Sequence, residues 1–138
     1  MKNFNSLAII LLMVMLLLIS CSDNKKESLE LLDKGVELYY RSDDKTALEL
    51  FRKAIQKDKS NFEAYYWIGN YYNNKRKYKK AIEYYSKAIE INPGFADAYA
   101  NRGYAKNNLK DKTGACKDWK KARKLGKNNL DNYLKWCE

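Results

Sequence analysis

The sequence predicts an all-α fold, three stacked helix-turn-helix units closed by a short capping helix, and three observations carry that prediction. Gly35, Gly69 and Gly103 stand 34 residues apart, and so do Ala47, Ala81 and Ala115. Phe51, Tyr85 and Trp119, always aromatic, and Ala54, Ala88 and Ala122, always alanine, keep the same register. Within a period the apolar residues recur three and four apart, Tyr65, Ile68 and Tyr72 in one half and Ala81, Tyr85, Ala88 and Ile89 in the other. That is the stripe of an amphipathic helix, not the alternation of a strand.

Residues 1–20 differ from the rest of the chain. They hold one positive charge at Lys2, no acid, and 13 apolar residues from Leu7 to Ile19. A helix needs about 20 apolar residues to cross a bilayer, so the run reads as an export signal rather than a permanent anchor. Leu18-Ile19-Ser20-Cys21 resembles a lipobox, in which the cysteine is diacylated on sulfur and becomes the new N-terminus. The resemblance implies lipidation of Cys21 and attachment to a membrane without any basic patch, since each buried methylene is worth about 0.8 kcal/mol. Ser22 rather than aspartate follows Cys21, and by analogy with the enteric sorting rule this favours the outer membrane of a Gram-negative host.

Residues 21–27 are expected to be a short linker. The repeats then occupy 28–61, 62–95 and 96–129. In each, the glycine and alanine columns are expected where two helices cross, because only a missing or single-carbon side chain allows so close an approach. The aromatic beside each alanine fills the space next to the crossing. Asn61 and Ser60 with Glu63 read as a capping box, and Asn92-Pro93-Gly94 stops the preceding helix. A unit of this kind cannot bury its own faces, so it stacks on its neighbours. Residues 130–138 supply a terminal helix whose stripe Leu130, Tyr133, Leu134 and Cys137 lies on the last repeat.

A 34-residue period with this column order resembles the tetratricopeptide repeat. The resemblance spans Ser28 to Asn129. It is fullest at Tyr65, Ile68, Gly69, Tyr72, Ala81, Tyr85, Ala88 and Pro93, while Lys59, Lys106 and Lys127 replace the usual proline or aromatic elsewhere. It implies a right-handed α-solenoid that binds another protein, with a peptide or helix of the partner in the concave groove. Aligned by glycine, that groove is lined by Leu32, Val36, Tyr39 and Tyr40, by Tyr66, Trp67, Asn70, Asn73 and Asn74, and by Ala100, Asn101, Tyr104, Asn107 and Asn108. Some relatives clamp the C-terminal carboxylate of chaperones with lysine, arginine and asparagine. Here the matching positions hold Leu32, Val36, Trp67, Asp97 and Asn101, which do not supply that clamp.

Cys116 occupies the column of Leu48 and Ile82 and by register faces the cap helix, on whose stripe Cys137 lies. From Lys127 it is 11 residues back to Cys116 and 10 forward to Cys137. In an antiparallel hairpin such residues are opposite each other, and an oxidising compartment allows a disulfide. The alternative is two buried thiols packing as small hydrophobes.

The net charge is +10, or +9 once Lys2 is removed. In an exported chain this points to anionic lipid, acidic glycan or an acidic protein rather than nucleic acid. Lys75, Arg76, Lys77, Lys79 and Lys80 crowd one inter-helix turn, and Lys106, Lys110 and Lys112 surround the next. They read either as an anionic-surface dock or as a solvated rim.

The chain has no histidine, the commonest general base and metal ligand. It has no metal-spaced ligand cluster, phosphate-binding glycine loop or nucleophile beside a base. The expectation is therefore a non-enzymatic, membrane-anchored scaffold, monomeric by itself and without cofactor or metal. The alternative is a structural or assembly subunit of a cell-envelope complex with no groove activity.

Overall fold

Each helix pair closes on a glycine. A methyl group at Gly35 would lie 2.6 Å from the Phe51 ring, at Gly69 2.5 Å from the Tyr85 ring, and at Gly103 2.5 Å from the Trp119 ring. The aromatic column therefore presses directly on the backbone of the facing helix, and the alanines on either side of it are wholly buried.

The computed structural model describes residues 3–137, with the side chains of 3–7 and 16–21 outside that description. Helices run α1 Asn3–Tyr40, α2 Asp44–Lys57, α3 Phe62–Asn74, α4 Tyr78–Ile91, α5 Ala96–Asn108, α6 Lys112–Lys124 and α7 Asp131–Leu134, followed by a 3-10 turn Lys135–Cys137. No strand occurs among the described residues. The pairs α1–α2, α3–α4 and α5–α6 stack in order, each second helix packing on the first helix of the next pair. The result is an all-α solenoid of three repeats with a C-terminal cap.

The turns repeat as faithfully as the core. Ser42, Arg76 and Lys110 adopt left-handed backbone, with φ of 66°, 56° and 68°. Each ends a first helix in the same way, the following N–H reaching back to the helix carbonyl: Asp43 to Leu38 (3.0 Å), Lys77 to Tyr72 (2.9 Å) and Asp111 to Lys106 (3.0 Å). This is the Schellman arrangement, usually made with glycine. Asp43, Asn61 and Asp111 cap the next helices by accepting from Thr46, Ala64 and Gly114 N–H. Glu63 takes no part, so Asn61 caps alone and the expected box is half formed; its amide instead donates to buried Ser28 Oγ (2.9 Å), which donates to Ala54 O (2.8 Å).

Lys59 in place of proline leaves the first inter-repeat turn as tight as the second. Asn61 N–H reaches Asp58 O, and Phe95 N–H reaches Asn92 O, both at 3.1 Å. Asp58 Oδ1 accepts from Ser60 N–H and holds the turn without proline.

Two expectations change. Residues 21–27, read as a linker, are helical and join residues 3–40 in one 38-residue helix. They contain no glycine or proline, lysine and glutamate are good helix formers, and Glu27 pairs with Lys57 at 2.7 Å. Among the described side chains, none before Ser28 is buried. The terminal helix is also shorter than expected, one α turn and one 3-10 turn. Leu130 and Leu134 are buried, while Tyr133 is exposed on one side and Trp136 almost fully. No helix among the described residues is long and apolar enough to cross a membrane. The lipobox side chains, Cys21 included, lie outside the described residues.

Candidate functional site

The first helix of each pair turns its remaining face to one side of the stack, and neighbouring helices are tied together there. Asn74 Nδ2 donates to Tyr39 Oη, linking α3 to α1. Asn101 Nδ2 donates to Asn70 Oδ1 (2.9 Å) and Tyr66 Oη (3.1 Å), linking α5 to α3. Tyr85 Oη, from inside the core, donates to the same Asn70 oxygen at 2.8 Å. The polar groups of this face are thus oriented by bonds that cross the stack.

Burial keeps the tyrosines neutral. It pushes the Tyr39 hydroxyl up to about 12, with Asp44 adding to the effect. It also raises Tyr66, Tyr85 and Tyr104. At neutral pH these hydroxyls can donate as well as accept, while the asparagines supply both amide partners.

Tyr40, Asn74, Asn107 and Asn108 are exposed on this face, and Val36, Tyr39, Tyr66, Trp67, Asn70, Asn73, Asn101 and Tyr104 are half-buried. Leu32 is a correction: it is 3 % exposed and packs among Ala47, Leu48 and Phe51, so it offers no groove surface. Ala100 is likewise buried. Both stand in the column of Tyr66, whose long side chain carries its hydroxyl out to Asn101, while a leucine or alanine there stays covered. Asn73 Oδ1 is buried without a hydrogen-bond partner, and Asn108 donates to the Tyr104 carbonyl. Tyr39, Tyr40 and Trp67 form an edge-to-face cluster with centroids 5.3–6.2 Å apart, and Trp67 stacks on Phe51.

At the far end of the face the cap intrudes. Tyr133 lies 4.8 Å from the Tyr104 ring and 5.0 Å from the Trp119 ring. Cys116 and Cys137 form a disulfide with Cα atoms 5.5 Å apart, closing a loop across 21 residues. A loop of that size is worth about 3 kcal/mol, a large increment for a cap of two turns.

The sequence reading missed one cluster. Asp118, 2 % exposed, accepts from Arg102 Nε (2.8 Å) and Nη2 (2.7 Å) and from Lys106 Nζ (2.8 Å). Arg102 Nη1 donates to Ser86 Oγ at 3.0 Å. The columns explain it: Lys106 and Asp118 stand 34 residues after Tyr72 and Tyr84, whose rings stack at 5.4 Å. An ion pair in repeat three replaces an aromatic stack in repeat two, and the paired exchange of apolar for opposite charges was the available signal.

The lysine-rich turns are partly neutralised. Lys106 is committed to Asp118, and Lys75 pairs with Asp44 at 2.7 Å. Arg76, Lys77, Lys79, Lys80, Lys110 and Lys112 stay exposed. Asp97 pairs with Lys127 at 2.5 Å, and the hydrogen bond that Lys127 donates to Asp97 raises the pKa of its ammonium. Among the described residues, no three His, Cys, Asp or Glu side chains are grouped to hold a metal.

The sequence profile of the tetratricopeptide repeat matches residues 62–95 and, again, 84–117. No curated protein matches the chain. Among solved structures, the first TPR of Spaghetti (RPAP3) bound to the HSP90 peptide SRMEEVD is 24 % identical with a TM-score of 0.76, over 81 % of this chain and 90 % of that one. The Arabidopsis OM64 TPR domain is 22 % identical with a TM-score of 0.76, over 82 % and 95 %. MamA is 28 % identical with a TM-score of 0.68, over 74 % of this chain and 59 % of that one. These neighbours share the helical solenoid, and with two tetratricopeptide repeat profiles matching within residues 62–117 this chain belongs to the tetratricopeptide repeat family.

Proposed function

We propose that the protein is a lipid-anchored interaction scaffold, tethered to a membrane through acylated Cys21 and holding an extended segment or helix of one partner protein on its concave face. The observation that carries this reading is the cross-helix ladder of Tyr39–Asn74 and Tyr66–Asn101–Asn70–Tyr85. Oriented before any partner arrives, such groups lose little freedom on binding. Exposed Tyr40, Asn74, Asn107 and Asn108 and the half-buried Trp67 surround them with contact area, of the aromatic kind that supplies most interface energy. A groove of this kind suits a strand or helix of another protein.

The RPAP3 neighbour holds an acidic HSP90 peptide, but the same mode does not transfer. Leu32 is buried and Asp97 places a carboxylate on this side, so a carboxylate clamp is not available. Nothing in the residue set supports catalysis, and the reading is non-enzymatic, without cofactor, and monomeric. Outer-membrane placement follows from Ser22 if the host is Gram-negative.

The test is capture from solubilised membranes with the full chain and with Tyr40→Ala/Asn74→Ala, both exposed positions. The partner band falls at least tenfold in the double variant; undiminished capture rejects the groove. Metabolic labelling with radioactive palmitate marks the wild type and not Cys21→Ala, and an unlabelled wild type rejects the anchor. Concentration-dependent sedimentation mass would favour the assembly subunit instead.

A further inference from the structure

Two cavities meet where the cap joins repeat three. One, of about 250 Å³, is lined by Asn107, Lys112, Cys116, Trp119, Tyr133 and Trp136. The other, of about 500 Å³, shares Lys112, Cys116 and Trp136 and adds Lys117 and Lys120 among its walls. Among the described residues, no carboxylate lines either one.

The smaller cavity is aromatic on three sides. Trp119 spends its indole N–H on the Ala100 carbonyl (3.2 Å) and so presents only its apolar ring. Trp136 is 83 % exposed, and folding gains nothing from leaving a tryptophan in water. Its neighbour Cys137 is held by the disulfide and by Lys120 Nζ, which donates to the Cys137 carbonyl at 3.3 Å. The backbone that carries Trp136 is therefore held at the rim. Sites for drug-sized ligands span roughly 300–1,000 Å³, so this cavity suits one bulky side chain of a larger partner.

We infer that this cavity is an anchor site for an acidic protein segment: one leucine-sized or aromatic side chain enters between Trp119, Tyr133 and Trp136, and flanking carboxylates meet Lys112, Lys117 and Lys120. Asn107 stands at the wall to bond the segment's backbone. The site continues the concave face at its C-terminal end, and the inference rests on the groove-binding reading above.

Charge complementarity selects the occupant, and the fold argues against the anchoring membrane as the alternative. The chain enters the stack at Ser28, beside Asn61, whereas Lys112 lies at the turn on the opposite edge, next to the turns after Tyr40 and Asn74. At 1.5 Å per residue, Cys21 lies about 28 Å along α1 from that edge. Lys112 therefore stands at the edge farthest from the anchored end, with Lys117 and Lys120 about one and two turns further along α6.

The test uses the full chain in detergent micelles and three fluorescein-labelled twelve-residue peptides: acidic with one central leucine, the same with alanine, and the leucine peptide with lysine for every acid. By anisotropy the acidic leucine peptide binds at least tenfold tighter than either control. Trp136→Ala, at a side chain the fold leaves free, and Lys112→Glu each weaken it about tenfold. Equal binding of the leucine and alanine peptides, or an unchanged affinity for Trp136→Ala, overturns the anchor site. So does displacement of the peptide by phosphatidylglycerol vesicles, which would assign the edge to lipid. Tyr40→Ala/Asn74→Ala separates the two readings: if that variant loses membrane capture while Trp136→Ala keeps both capture and peptide, the groove stands and the pocket falls.

Discussion

Gly69→Ala tests the contact on which the whole array is built. The added methyl would sit 2.5 Å from Tyr85 Cε1 and 2.6 Å from Cδ1, about an ångström inside normal contact. Tyr85 is fully buried and its hydroxyl is tied to Asn70, so the ring cannot slide away and the helices must part. Overpacking of this kind costs about 1–3 kcal/mol, while alanine recovers about 1 kcal/mol of helix propensity over glycine. The net expectation is a loss of about 1 kcal/mol, the middle of a range from about 0 to 2, read as a lower urea midpoint by circular dichroism at 222 nm. Tyr85→Leu alone creates a cavity and costs about 2–4 kcal/mol. In the double variant the methyl enters that cavity, so the combined loss is smaller than the sum by at least about 1 kcal/mol. A Gly69→Ala protein more stable than wild type, or strictly additive losses, would refute the reasoning.

Three further expectations concern other parts of the stack. Asp118→Ala strands Arg102 and Lys106 without their carboxylate and lowers stability by about 3–5 kcal/mol. Arg102→Ile, Lys106→Tyr and Asp118→Tyr together, the residues of repeat two, restore it by urea titration. Arg76→Gly relieves a left-handed residue and stabilises by about 0.5–1 kcal/mol, provided the folded structure is unchanged. The buried tyrosines predict loss of stability in base. Their folded pKa values are raised, Tyr39 to about 12, so unfolded chains lose these protons first. The stabilisation is complete below about pH 10 and fades as pH rises toward 12. The share of tyrosinate absorbance at 295 nm that belongs to these buried tyrosines should therefore appear together with unfolding; their ionisation near pH 10 with the fold intact would contradict it.

Much of the fold was legible because its tightest contacts recur. Gly35, Gly69 and Gly103 face Phe51, Tyr85 and Trp119 at one distance, and a constraint repeated three times stands out from a single sequence. What could not be read arises where a repeat departs from its neighbours. Residues 21–27 lack any breaker, but nothing in their pattern says that they continue α1, as the structure has them, with Glu27 pairing with Lys57. Leu32 and Tyr39 are both on the inner side of α1 by register, yet one turns into the core and the other outward. Tyr39 is long enough to carry its hydroxyl to Asn74 and Leu32 is not, a difference of reach that the period does not encode. On the concave face the residue types were visible, but their bonding was not, since Asn70 meets Tyr85 and Asn101 only once three helices are stacked.

The central claim is that a partner protein lies against the concave face. Photo-crosslinking in living cells tests it directly, with benzoylphenylalanine placed at exposed Asn74 and Asn107 in the groove and at exposed Glu83 and Lys87 on the second helix of repeat two. The account predicts one discrete protein adduct from Asn74 and Asn107 and none from Glu83 or Lys87. An adduct confined to Glu83 and Lys87, or the same adducts from all four positions, would contradict it.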